Sequence, residues 1–131
     1  MILLDTHICI YIINSKPPAM LARFRDYRLG EIGLSSVVAA ELAFGVAKSG
    51  SMRNEAELKL FRAPLQIMPF DEGAVWAYGK LRADLERQGQ SIGALDTLIA
   101  AHVLSLDAIL VTNNTREFSR IDRLRLESWS I

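Results

Sequence analysis

Short apolar runs alternate with longer segments of helical spacing along this chain. Residues 2–4, 31–34, 66–69 and 108–111 read as buried strands or extended pieces. Between them the spacing predicts helices over 7–14, 17–27, 36–48, 53–62, 71–88 and 95–106. The punctuation agrees. Asp5-Thr6 and Ser35-Ser36 are good caps, Pro18 suits a first turn, and Gly30, Gly50 and Gly89 end the segments before them. Leu124, Leu126 and Trp129 alternate at the end, predicting a final edge strand. Strands alternating with helices predict an α/β fold around a parallel sheet. Three strands exit into polar pairs or triplets: Asp5-Thr6, Ser35-Ser36 and Thr112-Asn113-Asn114. In open α/β sheets ligands sit outside such strand ends, so those exits define the expected site.

Within this pattern three acids stand among apolar neighbours. Asp5 follows Met1-Ile2-Leu3-Leu4, Glu41 lies inside the apolar stretch 37–47, and Asp96 precedes Leu98 to Leu104. The nearest cations are Lys16, Lys48 and Arg87, too far along the chain for local pairing. A buried carboxylate is costly without a partner. Two carboxylates about 5 Å apart at an effective dielectric of 20 repel by roughly 3 kcal/mol. If the fold gathers three of them, protons or a cation must relieve the repulsion. Oxygen-only donors favour Mg²⁺, with Mn²⁺ substituting, and a His/Cys zinc cluster is absent from the sequence.

Such an ion can bind a phosphate oxygen and acidify an attacking water. Glu41 lies about 7–8 Å along its helix from the strand exit, within reach of the same edge. It could ligate a second ion or orient the water. Thr6, Ser36, Thr112 and Asn114 offer neutral hydrogen-bonding groups, and Glu117 is a fourth acid that could join the site or face solvent.

The 131 residues suit one domain, 1–131, and half of them are hydrophobic. Fifteen basic residues balance fifteen acidic ones, so nucleic acid would need a local basic patch. Arg116, Arg120, Arg123 and Arg125 are expected near the site edge, and Arg23, Arg25 and Arg28 could extend the track. A single cysteine, Cys9, excludes an internal disulfide and reads as a small buried apolar residue. His7 and His102 read as packing or surface residues, and Trp76 and Tyr78 as core or dimer contacts. The start carries no basic leader, and no apolar run approaches the length of about 18 residues that spans a bilayer, so a cytoplasmic location is expected. A receiver domain would need adjacent acids after its first strand and a late lysine; Thr6 follows Asp5, and no lysine occurs after Lys80.

Four segments in order carry a family resemblance over essentially the whole chain. They are Met1-Ile2-Leu3-Leu4-Asp5-Thr6; the stretch from Ser35-Ser36 through Glu41 to Gly45; Asp96 through His102; and Leu110 through Thr112-Asn113-Asn114 to Glu117-Phe118. The sequence resembles PIN-domain ribonucleases, particularly the toxin subunits of type II VapBC toxin–antitoxin modules. The resemblance implies a three-layer α/β/α domain with a mostly parallel sheet. It also implies an acidic triad of Asp5, Glu41 and Asp96 that binds Mg²⁺ or Mn²⁺. Relatives often have aspartate where this chain has Asn114, Asp-Phe where it has Glu117-Phe118, and asparagine where it has His7. The resemblance further implies a homodimer, a small VapB-type antitoxin partner and an RNA substrate, often tRNA, with DNA engaged only through the antitoxin. An inactive module of the same fold and a single-strand DNA nuclease are the alternatives.

Overall fold

The computed structural model describes residues 1–129; the last two residues of the expected domain lie outside them. Five strands form one parallel sheet: β1 (Ile2–Leu4), β2 (Ile32–Ser35), β3 (Gln66–Met68), β4 (Ile109–Val111) and β5 (Arg125–Glu127), in the order β3-β2-β1-β4-β5. Helices flank it: α1 (Thr6–Ser15), α2 (Pro18–Arg23), α3 (Ser36–Ser49), α4 (Met52–Arg62), α5 (Glu72–Arg87), α6 (Ala94–Ser105) and the short α7 (Thr115–Phe118). Among the described residues no helix is long and apolar enough to cross a membrane.

Burial explains the strand order. Ile2, Leu3 and Leu4 are all buried, so β1 needs cover on both faces and takes the centre. Leu110 and Val111 behave likewise beside it, with Ile2 opposite Ile109 and Leu4 opposite Val111. The edge strands expose polar residues, Gln66 on β3 and Arg125 on β5. Gly33 sets the spacing of β2 and β3, because a Cβ there would stand 2.7 Å from the Gln66 carbonyl oxygen.

Order reverses at β1. From it the chain builds outward to β2 and β3 on one side, then returns to add β4 and β5 on the other. The crevice beyond the carboxyl ends of β1 and β4 is therefore the topological switch point. Asp5 and Thr112 are the first residues past those two strands.

The helix starts follow the sequence. Asp5, Ser35, Ser51 and Asp71 each accept a hydrogen bond from a backbone N–H in the first turn of the helix they open. Three elements differ from expectation. The second helix stops at Arg23 and tightens into a 3₁₀ turn at Phe24–Asp26. There Phe24 packs edge-on to Trp129 (5.6 Å between ring centroids) and Tyr27 stacks on the same indole (6.1 Å), so a contact a hundred residues away redirects the chain. The short α7 was not expected; it opens after Asn114, whose backbone N–H bonds the Thr112 hydroxyl. The final strand forms at the sheet edge but ends at Glu127, before the buried Trp129.

Gly79 lies inside α5, and a Cβ there would meet no heavy atom within 4 Å. Alanine restrains the unfolded chain and favours the helix by about 0.5–1 kcal/mol. Gly79→Ala should therefore raise Tm by roughly 2–5 °C in a thermal melt; an unchanged or lower Tm would contradict that placement.

Candidate active site

Asp5 stands at the centre of the switch-point crevice and is buried. Its Oδ1 accepts the Ile8 N–H at 2.9 Å, the N-cap of α1, and its Oδ2 accepts a short bond from the Thr112 hydroxyl. Burial pushes the Asp5 carboxyl above its ordinary pKa, and nearby Glu41 pushes the same way, against the opposing pull of the Thr112 and Ile8 hydrogen bonds and of His7. The capping role thus coexists with an unfavourable charge.

Glu41 arrives from α3, half-buried, and its Oε1 accepts the Thr6 hydroxyl at 2.8 Å. The first residue of α1 therefore holds the carboxylate of α3. Asp96 lies in the first turn of α6. Its pKa is pushed up to about 6, first by burial, then by Glu117, with which it can share a proton, and further by Asp5 and Glu41. Glu117, on α7, moves the opposite way. The Asn114 amide donates to it at 2.6 Å, and the Gly93 backbone N–H, Asp96 and Arg120 add to the downward pull, against burial. The two shifts run in opposite directions, Asp96 up and Glu117 down, so the pair titrates as a unit.

Thus Asp5 at the exit of β1, Glu41 on α3 and Glu117 on α7 all lie within electrostatic reach of Asp96 on α6, each raising its pKa. Neutral donors meet three of them: Thr6 on Glu41, Thr112 on Asp5, Asn114 on Glu117. Among the described residues no three carboxylates close into a direct ligand group. The donor set suits a hard cation that keeps several waters and touches one or two carboxylates. Asp5 and Asp96 are the residues that would hold it.

Other expected groups fall less centrally. The Ser36 hydroxyl accepts the Phe70 N–H at 2.9 Å, bracing the exit of β3. Arg120 is exposed and donates to the Ser91 carbonyl at 2.9 Å, close enough to lower the Glu117 pKa; Arg116 is exposed on α7. Arg123 and Arg125 do not flank the site. Arg125 pairs in register with Ile109, at the far end of β4, and donates to Asp107 there; Arg123 lines a groove with Trp76 and Lys80. Arg23 is engaged by Glu127 at 3.5 Å. Trp76 is exposed and outside the core, whereas His102 is buried, 2.7 Å from the Ser35 hydroxyl and edge-on to Phe70. Sequence reasoning missed the contribution of the 88–93 loop. It acts through the main chain, with the Ser91 carbonyl on Arg120 and the Gly93 N–H on Glu117, so side-chain identities carried no signal.

Residues 2–124 match the family model described as PIN domain. The chain is a PIN domain. This PIN domain is 42% identical over 129 residues to the tRNA(fMet)-specific endonuclease VapC of Shigella flexneri, covering 98% of this chain and 97% of that protein. It is equally 42% identical to Ribonuclease VapC2 of Rickettsia felis, covering 97% and 96%. Its fold superposes on the crystal structure of VapBC2 from Rickettsia felis bound to a DNA fragment from their promoter. There the TM-score is 0.91 at 40% identity, over 99% of this chain and 100% of that one. DNA-bound VapBC from Salmonella typhimurium gives a TM-score of 0.92 at 36% identity, over 98% of each chain.

Because the folded pKa of Asp96 exceeds its unfolded value of 3.8, its contribution to stability is full below about pH 4 and is lost as pH rises through about 6. Without metal, Asp96→Asn should gain stability relative to wild type across that window, then hold a constant advantage. Thermal melts in EDTA from pH 4 to 8 check this; a difference independent of pH would remove Asp96 from the cluster.

Proposed function

We propose that this PIN-domain ribonuclease hydrolyses RNA phosphodiester bonds with Mg²⁺ or Mn²⁺ and serves as the toxin of a toxin–antitoxin pair. The observation that carries the reading is the gathering at the switch point of Asp5, Glu41 and Glu117, each held by a hydrogen bond, around Asp96, whose pKa is raised by burial first and then by these neighbours. Naturally occurring clusters of this kind are functional-site candidates.

Asp5 and Asp96 would hold the ion, Asp5 prevented from turning away by the Ile8 N–H and the Thr112 hydroxyl. When bound, the ion supplies charge for the scissile phosphate and acidifies a water. Glu41, fixed by Thr6, orients that water or takes its proton. Glu117 is kept ionised by Asn114, so the fourth acidic position survives as a Glu–Asn pair. Arg116 and Arg120 lie on or beside α7, placed to follow the RNA backbone.

The Shigella flexneri relative's name supports tRNA as substrate, and the VapBC complexes support a small VapB-type antitoxin. A basic side chain of that partner would neutralise the acids in place of metal. A second copy of the chain would cover Val75 and Trp76, both exposed on α5, giving a homodimer. A cytoplasmic location goes with these partners, and DNA would be met through the antitoxin.

Purified protein should cleave tRNA in Mg²⁺, spare single-stranded DNA, and lose activity in EDTA. Asp5→Asn and Asp96→Asn should each lower kcat by about 100-fold or more while circular dichroism stays unchanged. Thr6→Val, which releases Glu41, should cost about 10–100-fold, the range for loss of a supporting partner. Wild-type turnover in either aspartate variant would end the metal-site reading.

A further inference from the structure

Beside the acids runs an open groove of about 730 Å³, between α1, α3 and the start of α6. It shares Thr6 and Glu41 with the active site, so one end of it is the catalytic edge. Apart from His7 and Ser36, the remainder is apolar. Ile10, Phe44 and Leu95 face it at 43%, 67% and 48% exposure. Single exposed apolar residues are ordinary, but three converging on one groove at a reaction centre mark a ligand surface.

The placement is systematic. Phe44 follows Glu41 by about one helical turn, Leu95 directly precedes Asp96, and His7 stands two residues after Asp5. Each of the three acids thus has a groove-lining neighbour within three residues along the chain. No Lys or Arg lines the groove, and Glu41 sits at its mouth, so it does not suit a phosphate. It suits a flat, uncharged, partly apolar body attached to one. Aromatic faces bind unstacked bases in that way, and single-stranded RNA loops present them. Gly45 keeps the floor open, since a Cβ there would meet no heavy atom within 4 Å. His7 is exposed and, with the Ser36 hydroxyl, offers hydrogen bonds to a base edge.

We propose that this groove is a nucleobase subsite: the base next to the scissile phosphate leaves its stack and lies on the Phe44 ring while its phosphate is held at the acids. The inference rests on the ribonuclease reading and deepens it. Stacking tolerates every base but is strongest for purines, so the subsite biases cleavage toward sites flanked by a purine.

The test uses the full chain, Mg²⁺ and a pool of RNA hairpins with randomised loops, the cut ends being sequenced and KM and kcat measured on one selected hairpin. Wild type should show a purine preference at one nucleotide flanking the cut. Phe44→Ala should flatten that preference and raise KM by about tenfold or more with kcat little changed. Phe44→Tyr should restore both. Gly45→Met, which fills the floor, should raise KM similarly, whereas Gly79→Ala on α5 should leave cleavage unchanged. Phe44 is largely exposed, so its loss should not move Tm. Wild-type KM and base preference in Phe44→Ala would overturn the proposal, including the case in which that variant only loosens an antitoxin, which would make the groove a peptide site. A wild-type protein that cleaves no RNA in Mg²⁺ would overturn the ribonuclease reading itself, and the subsite with it.

Discussion

Repulsion among Asp5, Glu41, Asp96 and Glu117 is the constraint around which this end of the molecule is arranged. Four carboxylates face one crevice, with the exposed Arg120 beside Glu117 and His7 beside Asp5 as the basic groups that pull their pKa values down. The protein meets the tension with neutral donors. Thr112, Thr6 and Asn114 each supply a hydrogen bond to one acid, and helix caps and loop N–H groups supply others. These fix direction without cancelling charge. The negative potential is therefore kept for something that arrives, and the donors ensure that each carboxylate waits in a defined orientation.

The sheet makes this economical in residues. Because order reverses between β1 and β4, one crevice receives two strand exits, and the helices that follow begin beside it. Asp5 is at once the cap of α1 and the centre of the acidic cluster, so the local helix geometry aims its second oxygen at Thr112. Glu41 reaches the same place from within α3, one and a half turns beyond the β2 exit. The apolar groove adjoins because the two helices that carry Thr6 and Glu41 also line it, with Phe44 exposed on α3. Charge for a phosphate and a flat surface for a base thus come from neighbouring residues on shared elements.

The strands, the caps and the alternation of layers were legible in the chain because they depend on neighbours a few residues apart. Ile2-Leu3-Leu4 is apolar throughout, as suits a strand covered on both faces, and Asp5 and Ser35 cap helices through bonds to the first turns that follow them. The isolation of Asp5, Glu41 and Asp96 from local cations was likewise visible without coordinates. What sequence reading placed wrongly depended on distant partners. Trp129 ends the second helix early through Phe24 and Tyr27, and parallel register carries Arg125 to the far end of the sheet from the acids.

By itself the sequence determined which segments are apolar, where helices begin and that three acids lack local partners, since each follows from side-chain chemistry at short range. Only the tertiary structure decided that these acids share one crevice with Glu117, that burial and these neighbours raise the Asp96 pKa, and that Phe44 stands beside them uncovered. Those facts depend on through-space distances between segments from opposite ends of the chain, and burial and Coulomb interaction act on distance in space, whatever the separation in sequence.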